Sequence, residues 1–136
     1  MVTVTPTNLE KIEFDVTTAE GPSRVTIVSG ILPAYGGAFS GSGNFETQNF
    51  SLSALVDPTL TPGQFRKASA IVGLAGTNAN VSALPSANQI SIDNVEATLD
   101  GQSGRIEIRV DGHLGVSNGN MSVSSLTFQV TTLAKL

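Results

Sequence analysis

Polar and apolar side chains alternate with a period of two, and this feature most constrains the fold. Between residues 105 and 114 the polar residues occupy one parity and the apolar residues the other. The polar set is Arg105, Glu107, Arg109, Asp111 and His113, and the apolar set is Ile106, Ile108, Val110 and Leu114. Successive side chains of a β-strand point to opposite faces. The pattern therefore predicts a strand with one buried face.

The same alternation recurs along the chain. It predicts strands at residues 11–17, 24–31, 37–45, 49–56, 89–99, 105–116 and 120–133. Residues 57–63 contain Pro58 and Pro62 and are predicted to form a loop. Residues 64–75 are interpreted as a strand around 69–74 or as a short helix. Residues 76–88 are interpreted as an irregular loop.

Apolar residues change parity inside two of the predicted strands, at residues 93–94 and 124–125. A strand that keeps one face buried across such a slip carries a β-bulge. Long antiparallel strands bent by bulges favour a barrel slightly. If each long segment is instead two short strands at a corner, the fold is a sandwich, and this alternative stays open.

The fold class predicted is all-β, with one antiparallel domain over residues 1–136. It has about seven to nine strands, counted from the alternating segments. The last three predicted strands form a long C-terminal meander, and a barrel is slightly preferred over a sandwich. Asn118-Gly119 predicts the tight turn between the final two.

Composition excludes several classes of function. The net charge is −4 and only seven Lys and Arg residues are present, so we expect no binding to nucleic acid. The absence of cysteine excludes disulfides, thiolate catalysis and zinc fingers. The chain contains no run of 18 consecutive apolar residues, so we expect no membrane span. Residues 1–6 lack the features of a secretory leader, and three Asn-x-Ser sequons are close to chance. Extracellular, surface or virion localisation is favoured only weakly over cytoplasmic.

The polar row is the main candidate for a site. Arg105, Glu107, Arg109, Asp111 and His113 either line a binding site, with His113 as a general base, or form a solvated strand face. We prefer the solvated face and expect no catalytic residue. Tyr35, the only tyrosine, is a further candidate for ligand binding. His113 is the only histidine and no EF-hand pattern occurs, so we expect no metal site and no cofactor.

Charge is distributed unevenly. Residues 25–92 hold four charged side chains, whereas residues 93–111 hold seven. Charge depletion is typical of an interface core. The sequence therefore favours a non-enzymatic β-rich structural subunit, of the cell-surface, extracellular or virion type, that assembles with itself or with a protein partner. The alternative is a small antiparallel barrel that binds an apolar small molecule, including a cyclase or isomerase that mainly shapes its substrate.

Overall fold

The computed structural model describes residues 1–33 and 39–136, and nine strands lie in that part of the chain. They are β1 (Val2–Thr3), β2 (Thr7–Thr18), β3 (Gly21–Pro33), β4 (Phe39–Gly41), β5 (Glu46–Val56), β6 (Phe65–Val81), β7 (Asn88–Leu99), β8 (Ile106–Val116) and β9 (Gly119–Lys135). The predicted all-β class is confirmed. The described residues include no helix that is long and apolar enough to cross a membrane.

The strands form two sheets. Sheet A has the order β1-β5-β8-β7, and all its pairs are antiparallel except β1 with β5. Sheet B is antiparallel and centres on β9. One edge of β9 pairs with β6, and the other pairs first with β4 and then with β3, which in turn pairs with β2. The order across most of sheet B is therefore β2-β3-β9-β6.

The barrel is not closed, because no strand of sheet A pairs with a strand of sheet B in the described chain. The sandwich alternative describes the arrangement. The C-terminal meander extends only through β7 and β8, since β9 crosses to the other sheet. Asn118 makes this corner, with φ at 49°. Its side chain accepts a hydrogen bond from the Gly43 backbone N–H at 2.7 Å and donates one to the Pro85 carbonyl oxygen at 2.6 Å.

The core lies between the two sheets. Side chains of β5 and β8 from sheet A pack against side chains of β3 and β9 from sheet B. Its largest fully buried side chains include Leu32, Leu52, Ile106, Ile108, Leu114 and Leu126. β6 adds a row of partly buried small residues along its inner face. The interior is thus filled mainly by aliphatic side chains from both sheets, together with Phe50, Phe128 and Met121.

Both predicted bulges are present. The pairing of β7 with β8 shifts between Ile92 and Asn94, which leaves Asp93 as the extra residue. In β9 the register places Gly76 opposite Ser125 and Thr77 opposite Val123, so Ser124 is the extra residue. Each bulge keeps the apolar residues on both of its sides directed into the core.

Two predicted segments differ from the structure. β6 is a single strand of 17 residues, where we expected a short strand or helix followed by a loop. Its low local propensity is overridden by pairing with β9 along nearly its whole length. The third predicted strand, over residues 37–45, contains only the short β4 within the described residues.

Candidate functional site

The predicted polar row lies on the outer face of sheet A. Ile106, Ile108 and Val110 have no exposed surface, whereas the intervening side chains of β8 are partly or fully exposed. The alternation therefore places the two sets on opposite faces, as predicted. Of the candidate residues, Tyr35 lies outside the described part of the chain.

The charges of this row have local partners. Arg105 Nη2 lies 3.6 Å from Asp57 Oδ1, and Arg109 Nε lies 3.6 Å from Glu107 Oε1. The Ser51 hydroxyl donates to the Asp111 carboxylate from the neighbouring strand. Such pairs at an exposed surface contribute little to stability. The geometry is that of a solvated strand face, with neighbours of opposite charge.

His113 and Asp93 form the one feature of this face that resembles catalytic machinery. His113 Nδ1 lies 2.8 Å from Asp93 Oδ2, and the Ser91 hydroxyl donates to Asp93 Oδ1 at 2.8 Å. The bulge at Asp93 brings its carboxylate beside the imidazole. In a Ser-His-Asp arrangement the hydroxyl must reach the free ring nitrogen. Here Ser91 bonds the carboxylate instead, so the pair orients an imidazole but supplies no activated nucleophile.

Hydrogen bonds from His113, and then from Ser91, hold the pKa of Asp93 below its ordinary value of 3.8. A carboxylate with a lowered pKa stabilises the fold above its unfolded pKa, and that stability is lost as the pH falls through the folded value. We expect Asp93→Asn to lower the free energy of unfolding at pH 7. The difference from the parent protein should shrink below pH 3.8. Urea denaturation from pH 7 to pH 2 measures it, and a difference independent of pH would contradict the expectation.

A groove of about 490 Å³ lies beside this pair. Its polar lining includes Asn49, Ser51, Asp93 and Asp111. Among the described residues no three histidine or acidic side chains converge as a metal centre would require. A second groove, of about 430 Å³, has a lining that includes Lys11, Glu13, Arg24, Asp57 and Lys135. Neither groove is an enclosed apolar cavity of the kind that holds an apolar ligand.

The outer face of sheet B carries apolar side chains, whereas the outer face of sheet A carries charged and polar ones. Register places Phe14, Val25 and Leu133 side by side across β2, β3 and β9. The neighbouring row on the same face, two residues further along each strand, contains Ile12 and Ile27. Ile12 is 60% exposed, Phe14 46% and, on β6, Ile71 72%. We call these residues, together with Val16 and Ile31 on the same face, the outer apolar patch.

In β2 the apolar side chains lie on the face that points away from sheet A, and the charged side chains lie on the face that points towards it. Lys11, Glu13 and Asp15 thus share a face with the core residues of β3. A slip of one residue would exchange the two faces. The observed register instead pairs Ile12 with Ile27 and Phe14 with Val25. The sequence thus places apolar residues on the outer face in both strands of the hairpin.

Comparisons of the chain with protein families, with curated proteins and with solved structures found no match.

Reasoning from sequence alone did not identify the outer apolar patch or the contact between His113 and Asp93. The alternation of β2 was visible, but its period does not say which face meets the core. The sequence carries no signal for which side of sheet B packs against sheet A. The His113–Asp93 contact depends on the bulge, which was predicted, and on the register between β7 and β8, which was not.

Proposed function

We propose that the protein is a non-enzymatic structural subunit that assembles with copies of itself through the outer apolar patch. The observation that carries the proposal is that apolar side chains of both β2 and β3 lie on the outer face of sheet B. They form one surface of Ile12, Phe14, Val25 and Ile27. Contiguous exposed apolar surface on a small protein is typical of an interaction site. Burial of that surface between subunits would stabilise an assembly in the same way as a core.

The two outer faces differ in a way that supports this role. The outer face of sheet A carries the paired charges of the polar row. The outer face of sheet B carries aliphatic and aromatic side chains, with threonine, serine and glutamine between them. One face of the sandwich is therefore suited to water and the other to a neighbour. Part of the charge-depleted segment, including Val25, Ile27 and Ile71, lies on the second face.

Molar mass in solution tests the proposal. We expect light scattering at micromolar concentration to give a mass above the 14.0 kDa of one chain. Ile27→Lys should shift the protein to a single chain, because a charge at the centre of the patch would be desolvated on assembly. In the free subunit the lysine can extend its charge to water, so the fold should persist.

Ala79→Lys is the matched control. Ala79 is exposed on β6, within the same charge-depleted segment, but it lies beside Met121 on the inner side of sheet B. This variant should keep the parent mass. A parent protein that stays at 14.0 kDa up to high concentration would refute the proposal.

A further inference from the structure

Charged residues of opposite sign flank the outer apolar patch at diagonal corners. Glu10 lies on the edge strand β2, in the row that continues through Ser29 and Gln129. Lys67 lies on the other edge strand, β6, beside Leu133. Neither Glu10 nor Lys67 forms an ion pair with another of the residues that the structure describes. Both side chains belong to exposed residues.

The basic corner remains basic after its local ion pair is taken into account. Arg66 is next to Lys67, and its Nη1 lies 2.8 Å from Glu20 Oε2, so the charge of Arg66 is balanced by Glu20. Lys135 is exposed at the same end of sheet B, opposite Ser23. The patch therefore has a basic end with Lys67 and Lys135 and an acidic corner with Glu10. A partner of uniform charge would be repelled at one of the two ends, whereas a surface with the same two ends can match both.

We infer that the outer apolar patch receives a second copy of this chain face to face, with Glu10 of each copy opposite Lys67 of the other. The two-fold axis lies between the two faces and runs diagonally across the strands. An isologous contact of this kind repeats every pair twice. Val25 and Ile27, on the inner strand of the patch, then lie near the axis. Strands of the two facing sheets cross at a steep angle, which is an established mode of sheet packing.

The inference rests on the proposed function but names a specific pairing, and charge reversal tests that pairing separately. The variants are Glu10→Lys, Lys67→Glu and the double reversal, with dissociation constants measured by sedimentation equilibrium. Each single reversal should weaken association roughly tenfold, because two attractive contacts become repulsive. The double reversal should return the constant to within about threefold of the parent, since the attraction is restored with its sign exchanged.

Glu96→Lys is the control for a change of two charge units. Glu96 is exposed on β7 in the other sheet, where its carboxylate accepts a hydrogen bond from Asn94 at 3.2 Å. This variant should associate as the parent does. Thermal melts of all variants confirm that the fold is kept.

The outcomes separate the two proposals. If Ile27→Lys dissociates the protein but the double reversal fails to restore what the single reversals weaken, the assembly surface stands and the Glu10–Lys67 pairing is wrong. If single reversals have no effect on an assembly that Ile27→Lys disrupts, the pairing is wrong as well. If the parent protein is a monomer, both proposals fail together.

Discussion

Ile108→Ala is expected to destabilise the protein by about 2–5 kcal/mol, because truncating a buried aliphatic side chain leaves a cavity. Ile108 has no exposed surface and lies on β8, which pairs with β5 on one side and with β7 on the other. Its neighbours in register are Ala54 on β5 and Ala97 on β7, which are too small to fill the space. Urea denaturation at a fixed protein concentration gives the change in the free energy of unfolding.

Glu107→Ala and Arg109→Ala are the matched controls, one residue to either side of Ile108. Their side chains form an ion pair on the outer face of sheet A, with Arg109 Nε 3.6 Å from Glu107 Oε1. Each substitution should change the free energy of unfolding by no more than about 0.5 kcal/mol. If the order of effects were reversed, β8 would be inside out and the polar row would line an interior. The case for a binding site in that row would then rise sharply.

Local pattern predicted much of the fold. The alternation in β8 separates its apolar and polar side chains onto opposite faces, because a strand has only two faces, and the apolar face is the buried one. The changes of parity at residues 93–94 and 124–125 specify both bulges, because only an extra residue keeps the apolar side chains inward across the slip. These features are encoded within a single strand, and no knowledge of its partners is needed.

Features that depend on partners could not be predicted in this way. The local pattern leaves residues 64–75 as a short strand or a short helix and residues 76–88 as an irregular loop, yet pairing with β9 makes residues 65–81 one strand. At the crossing from β8 to β9, the Asn118 side chain accepts a hydrogen bond from Gly43 and donates one to Pro85, two segments distant in the sequence. The outward face of β2 depends on which side of sheet B meets sheet A. In each case the deciding contact joins residues far apart in the sequence.

In the candidate site, too, features encoded within one strand could be predicted, and features that depend on a partner strand could not. The polar row was predicted as one exposed face, and its residues lie on one face, because residues of the same parity share a face of the strand. The contact of His113 with Asp93 spans 20 residues and two strands, and it exists only because the Asp93 bulge and the β7–β8 register coincide. The outer apolar patch combines residues of four strands.

Gly112→Ala is expected to destabilise the protein by roughly 1–3 kcal/mol through overpacking. Gly112 is buried on β8, between Phe50 on β5 and Ile92 on β7. A Cβ atom there would lie 2.5 Å from Cζ of the Phe50 ring and would also collide with the Ser91 carbonyl oxygen. The ring occupies the space that the glycine leaves open, so neither neighbour can move without disturbing the core.

Gly101→Ala serves as the control, because a Cβ atom at this exposed turn residue would meet nothing within 4 Å. It should change the free energy of unfolding by no more than about 0.5 kcal/mol. Adding Phe50→Leu to Gly112→Ala separates the two collisions. Relative to Phe50→Leu alone, the cost of Gly112→Ala should fall but not vanish, because the smaller side chain frees the space of the ring while the carbonyl oxygen of Ser91 stays in place. A cost unchanged by Phe50→Leu would show that the backbone contact alone requires glycine at this position.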